Sequence, residues 1–329
     1  MLWNGKGLTI GDLKSRLPII QGGMGVGISL SGLASAVANA GGIGVISAAG
    51  IGMLEKDFST NFLGANIRAL KEEIRKAREK TKGILGVNIM VAMSNFAELL
   101  KASIEEKIDV IFAGAGMPLT LPSFLDEQAH TKLVPIVSSA RAAGLIAKRW
   151  FDKFNYVPDA VVVEGPLAGG HLGFSQEQIN DPDYKLEKIV VEVVDEVKKI
   201  EDKSGKGIPV IAAGGIYTGA DIYKFIKLGA SGVQMATRFV TTDECDASNA
   251  FKQTYIDCRE EDIGIIKSPV GMPGRAIVND FIADVNKGNK KPYRCPYHCI
   301  TTCKEESSPY CLSLALMSAK QGRLKNGFA

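Results

Sequence analysis

Residues 209–235 read PVIAAGGIYTGADIYKFIKLGASGVQM, and this stretch holds one complete unit of the pattern that decides the fold. A short apolar run of strand type (209–212) enters a bare turn, Ala213-Gly214-Gly215-Ile216. A segment able to form a helix follows (220–228), and a second apolar run closes the unit (232–235). The same alternation recurs outward from it. Strand-type runs fall at 17–20, 43–47, 84–89, 110–112, 133–137 and 160–163, which makes eight with the two above. Helix candidates lie among them at 31–40, 62–81, 95–106, 140–151 and 185–201, with another at 247–257 after the last strand. Runs that are apolar throughout are buried on both faces, as in a parallel sheet flanked by helices. Eight such units close most simply into a barrel, so the expected fold is α/β, a (β/α)8 TIM barrel. A doubly wound open sheet would place an acid on its second strand, whereas here that strand runs into Ser47-Ala48-Ala49-Gly50.

Composition narrows the classes of function. With 46% hydrophobic and 23% charged residues the chain can bury a full core, which excludes a disordered protein. A net charge of +3 without a concentrated basic stripe argues against nucleic acid as partner. Residues 22–54 carry no charge and are long enough to span a bilayer, but ten glycines and Asn39 break them into a short helix and a buried strand, so no membrane partner is expected. Residues 1–17 carry Lys6, Asp12, Lys14 and Arg16 and have no apolar core of signal-peptide length, so the expected location is cytoplasmic. The barrel is expected over 1–258. From 259 to 329 the rhythm stops, and Pro269, Gly271, Pro273, Gly274 and four cysteines mark a C-terminal appendage packing on the barrel over its site.

In such a barrel the ligand groups come from loops at the C-terminal ends of the strands. These loops are small and bare: Gln21-Gly22-Gly23-Met24-Gly25 after the first strand, Asn88 in the third, and Glu164-Gly165-Pro166-Leu167-Ala168-Gly169-Gly170-His171 after the sixth. Gly214-Gly215 follows the seventh, and Gln234-Met235-Ala236-Thr237-Arg238 the eighth. Glycines let backbone N–H groups approach an anion, and Thr218 is placed to cap the next helix, so the last two loops imply a phosphorylated ligand; the plainer reading of Gly214-Gly215 is a tight turn. His171 is one of only three histidines and sits within a glycine-rich run, where imidazole can exchange a proton with a close substrate. The plainer reading is a loop histidine bonded to a carbonyl.

The segments Gly86-Val87-Asn88-Ile89-Met90, Ala168-Gly169-Gly170-His171-Leu172-Gly173, Ile211-Ala212-Ala213-Gly214-Gly215-Ile216 and Gly232-Val233-Gln234-Met235-Ala236-Thr237-Arg238-Phe239 together resemble the nitronate monooxygenase family. The same motifs occur in the FMN-dependent enoyl-acyl-carrier-protein reductases, and Lys267-Ser268-Pro269-Val270-Gly271-Met272-Pro273-Gly274-Arg275 resembles a segment of both. The resemblance implies FMN over the C-terminal mouth. Gly22, Gly23 and Met24 would border the flavin, Asn88 would bond it, Glu164, Gly169 and Gly170 would lie near it, and Gly214, Gly215, Gln234, Met235, Ala236 and Thr237 would hold its phosphate. His171 matches the catalytic histidine of the family. The implied reaction is oxidation of small alkyl nitronates with O2; the alternative is an NAD(P)H-dependent FMN reductase acting on an enoyl thioester or a quinone. A non-catalytic nucleotide sensor is a third reading, for which His171 would have no purpose. Position 164 is a departure, since nitronate monooxygenases commonly place Gln there, and an ionised carboxylate beside an anionic nitronate is unfavourable. A homodimer is a further expectation.

The tail brings a second departure. Cys295, Cys299, Cys303 and Cys311 fall within seventeen residues, with His298 among them. Thiols so spaced are candidates for an iron–sulfur cluster or zinc; packed thiols and a disulfide are the alternatives.

Overall fold

The computed structural model describes residues 5–291, 295 and 297–329. In chain order the strands are β1 (Leu8–Ile10), β2 (Leu13–Ser15), β3 (Ile19–Gln21), β4 (Gly44–Ser47), β5 (Leu85–Met90), β6 (Val110–Gly114), β7 (Lys132–Val137), β8 (Val161–Glu164), β9 (Gly170–His171), β10 (Val210–Ala213), β11 (Gly232–Met235), β12 (Ile263–Lys267) and β13 (Pro273–Ile277). Eight of these, β3 to β8 with β10 and β11, form one parallel sheet in the order β3-β11-β10-β8-β7-β6-β5-β4. The two ends of that order meet: Ile43 N–H donates to the Ile19 carbonyl and Gln21 N–H to the Ile43 carbonyl, both at 3.0 Å. The Gln21 side chain, fully buried, reinforces the seam by accepting from Val45 N–H at 3.0 Å and donating to its carbonyl at 3.1 Å. The fold is a (β/α)8 TIM barrel.

Every strand expected from the sequence is present, shifted at most by a few residues. Alternation along the strands divides the core in two. Ile20, Val45, Phe112, Val134, Val162 and Ile211 fill the interior, while Val87, Ile111, Leu133, Val161, Val163 and Ala212 face the surrounding helices. Gly86 is small for a packing reason, since a Cβ there would lie 2.7 Å from the Phe112 ring. The hairpin β1–β2 was not anticipated; its Leu8 and Ile10 join the interior cluster and floor the barrel at its N-terminal end. Most helices begin on a side-chain cap. Asn61 accepts from Gly64 N–H and Ser139 from Ala142 N–H, both at 3.2 Å, and the Asp246 carboxylate holds Leu30, Gly32 and Leu33 N–H at the start of Ser31–Asn39.

After residue 258 the chain forms the antiparallel hairpin β12–β13, the helices Asp280–Asn286 and Leu312–Lys320, and an apolar core around Phe281, Tyr310 and Phe328. Helix Leu312–Lys320 packs against the barrel through Ala319, with Ser248 N–H donating to the Lys320 carbonyl at 3.0 Å, and two further seams join the segment to the barrel. Strand β13 pairs antiparallel with β9, and Thr301 N–H donates to the Ala92 carbonyl beside an isolated bridge between Met93 and Ile300. Both seams lie on loops at the C-terminal ends of barrel strands. Among the described residues no helix is long and apolar enough to cross a membrane.

Candidate active site

The strand alternation that puts Val162 and Ile211 inside also aims Asn88, Glu164, Ala213, Gln234 and Gly22 into the top layer of the barrel. The glycines there interlock with the polar side chains. A Cβ on Gly23 would stand 2.4 Å from Asn88 Cβ, and one on Gly22 would meet the Gln234 amide nitrogen at 3.3 Å. The ends of the first, third and eighth barrel strands are therefore in contact at the mouth. Glu164 ends β8, with Ala213 its partner across β10, and burial pushes its carboxyl up to about 7, with no cation among the described residues offsetting the effect.

The loops after β8 and β10 lock together. Gly214 and Gly215 have φ of +96° and +73°, and a Cβ on Gly214 would lie 3.0 Å from Ala168 N while one on Gly215 would lie 3.0 Å from Leu167 Cβ. Only glycine combines that backbone with that proximity. Thr218 caps Gly219–Lys227 as anticipated, in a reciprocal box in which Asp221 accepts from Thr218 N–H at 2.8 Å. Beyond β11, Ala236 and Thr237 are exposed at the start of the turn Thr237–Val240, and the Arg238 guanidinium lies 4.4 Å from the Tyr217 ring, tying this loop to the preceding one.

His171 is fixed by the appendage. Its strand β9 pairs with β13 through Gly170–Arg275 and His171–Gly274, and Leu172 N–H donates to the Pro273 carbonyl at 2.9 Å. The ring nitrogen Nε2 lies 2.6 Å from the hydroxyl of Ser268, which is 4% exposed and also accepts from Val270 N–H at 3.4 Å. Desolvation lowers the His171 pKa and favours the neutral ring. Around Gly169 and Gly170 the space is open: a Cβ on either would meet nothing within 4 Å.

Some residues singled out in the sequence sit elsewhere. Met24 turns its side chain into a peripheral cluster with Ile28, Leu33 and Val240, and Met235 packs between barrel and helices, because it alternates with the inward Gln234. Both offer only backbone to the mouth. The four tail cysteines are free thiols, and among the described residues no three His, Cys, Asp or Glu side chains converge to hold a metal ion. The iron–sulfur or zinc expectation for Cys295, Cys299, Cys303 and Cys311 therefore finds no support among the described residues. Cys299 and Cys311 line a small pocket with Met53, Phe58, Met93 and Tyr297, where burial raises both thiol pKa values and opposes the thiolate a metal requires. Ser268 and Arg275, by contrast, carry no functional signal of their own in the sequence beyond their place in the 267–275 segment. They reach the site through strand pairing between positions about a hundred residues apart, which no local pattern reveals.

A closed parallel barrel whose mouth gathers a neutral histidine, a desolvated carboxyl and glycine-lined open space is an enzyme site of the cofactor-binding TIM-barrel class. The chain belongs to the nitronate monooxygenase family, whose model matches residues 8–322. It is 28% identical over 314 residues to a probable nitronate monooxygenase of Staphylococcus saprophyticus, covering 84% of this chain and 80% of that one. It is 27% identical to the (3aS,4S,5R,7aS)-5-hydroxy-7a-methyl-1-oxo-octahydro-1H-indene-4-carboxyl-CoA dehydrogenase of Mycobacterium tuberculosis, covering 83% of this chain and 66% of that one. Among solved structures it superposes on FabK from Thermotoga maritima with a TM-score of 0.71 at 29% identity, covering 95% of this chain and 84% of that one. The protein is thus a flavin-type oxidoreductase of the nitronate monooxygenase family.

Proposed function

We propose that the protein holds FMN across the C-terminal mouth and oxidises small alkyl nitronates with O2. The observation that carries this reading is His171, kept neutral by burial and held at the mouth by its contact with Ser268, next to the open space at Gly169 and Gly170. The residues fit a planar phosphorylated cofactor. Gly22, Gly23, Asn88, Glu164 and Gln234 line the floor on which a ring would rest, and the exposed backbone of Gly215, Ala236 and Thr237 would take a phosphate. When bound, FMN would supply the redox chemistry between the substrate and O2.

The protein's own groups bind and orient. Ser268 occupies Nε2 of His171, which leaves the other ring nitrogen to hydrogen-bond a nitronate oxygen or to take a proton from the carbon of the parent nitroalkane. The 259–329 appendage, on this reading, is a cap that sets the histidine strand rather than an independent domain. The six free cysteines accord with a cytoplasmic setting.

A second reading is favoured by Glu164, which disfavours an anionic substrate whenever it ionises. In that reading NAD(P)H reduces FMN and an enoyl thioester or quinone is the acceptor. Anaerobic stopped-flow mixing of the flavin-loaded protein with propyl-2-nitronate and, separately, with NADH tests the two. Flavin bleaching by nitronate and not by NADH supports the monooxygenase; fast bleaching by NADH alone overturns it in favour of the reductase.

Ser268→Ala removes one hydrogen bond to the histidine without opening the pairing of β9 to β13. The expected result is a fall in kcat of about 3- to 10-fold, with the kinetic pKa of His171 displaced in the pH profile. An unchanged profile would show that Ser268 does not hold the ring.

A further inference from the structure

We propose that Arg275 is the receptor for a planar oxyanion on the substrate, docked beside His171, an inference that rests on the oxidoreductase reading above and names the recognition group for its substrate. The argument begins with the strand. Arg275 on β13 is the cross-strand partner of Gly170, the residue before His171, and of Ile265 on β12. Its neighbour Ala276 faces the appendage core with Phe281 and Tyr310, so Arg275 is on the opposite face, toward the barrel. Its Nη2 donates to the Pro166 carbonyl at 3.1 Å, in the loop that leads from Glu164 to His171.

Among the described residues the guanidinium has no other hydrogen-bond partner. Its Nε is buried without a hydrogen-bond partner, and among the described residues it forms no ion pair. Desolvation lowers its pKa, and no carboxylate offsets the cost. Glu164, two residues before Pro166, is likewise desolvated and unpaired, so the one acid on this loop does not serve Arg275. A partly desolvated cation is unfavourable without a counter-charge. A protein that keeps such a group beside open space at Gly169 and Gly170 has a site ready for an anion. The chemistry of the anion follows from the terminal edge of the guanidinium: Nη1 and the second N–H of Nη2 offer two donors that match two oxygens on one planar centre, as in a nitronate or a carboxylate.

The test compares the flavin-loaded wild type with Arg275→Gln and Arg275→Lys, each checked for flavin content and thermal unfolding. Nitrate and propionate are the probes, titrated without turnover and read by the perturbation of the flavin absorbance, and propyl-2-nitronate supplies KM and kcat. The expected result is that nitrate and nitronate compete in the wild type. Arg275→Gln should weaken nitrate binding and raise the nitronate KM by about 10- to 100-fold, with a smaller change in kcat, and Arg275→Lys should retain part of both. Nitrate binding and KM unchanged in folded Arg275→Gln overturn the proposal. If the wild type ignores nitronate but binds propionate, and Arg275→Gln loses it, the receptor stands, the anion is a carboxylate and the nitronate reading fails. Should Arg275→Gln not fold, Arg275→Lys decides, because a purely structural role at the Pro166 carbonyl predicts no change in nitrate affinity.

Discussion

Replacing His171 by Asn is expected to lower kcat by about 10²- to 10⁴-fold while the protein still binds flavin. The imidazole is placed by two independent constraints, the β9–β13 pairing of its backbone and the Ser268 hydroxyl at Nε2, so the loss should fall on chemistry and not on folding. Asn keeps a polar group of similar reach but has no basic nitrogen to move a proton. The measurement is steady-state turnover with the parent nitroalkane and with its preformed nitronate, together with the flavin spectrum. A larger loss with the nitroalkane would mark His171 as the base, because that substrate still carries the proton to be removed. Equal losses would assign it to orienting the anion. Turnover within threefold of the wild type on both substrates would remove His171 from the catalytic machinery.

The barrel was legible because buried parallel strands leave a strong one-dimensional trace. Runs such as Ala160-Val161-Val162-Val163 have no polar positions, and the glycine turns that follow have few other uses. The β1–β2 hairpin left no comparable trace. Its strands are three residues each, and Thr9 and Lys14 interrupt them, yet Leu8 and Ile10 close the barrel floor. The candidate site divides in the same way. Asn88, Gln234 and Gly214 were visible from their place at strand ends, whereas Ser268 and Arg275 matter only because an antiparallel hairpin folds back onto His171. The cysteines of the tail show the limit of spacing: it suggests ligands, but only three-dimensional convergence makes a site, and among the described residues Cys299 and Cys311 share a small apolar pocket with Met93 and Tyr297. Gly23 shows a subtler limit. Its lack of a Cβ also makes room for Asn88, a packing demand between distant positions that no local pattern reveals.

Glu164→Gln should stabilise the protein above neutral pH and leave it unchanged in acid. The folded pKa, at about 7, is raised above the ordinary carboxyl value of 4.5 by burial. Between those two values the folded state binds the proton and the unfolded chain does not, so the wild type loses stability as pH rises through this window and reaches a plateau above it. The full difference is about 3 kcal/mol, roughly 5 °C in Tm for a chain of this size. Gln has no proton to lose, so the variant is free of this fall. Thermal unfolding of the flavin-free proteins at pH 4.5 and pH 8.5 checks it, and parallel curves would show that Glu164 is solvated. The same titration reaches function. Below pH 7 the carboxyl is neutral and tolerates an oxyanion held by Arg275; above it, the carboxylate opposes one. The wild-type nitronate KM should therefore climb above pH 7 while that of Glu164→Gln stays level, whereas a neutral enoyl or quinone acceptor would show no such difference between the two proteins.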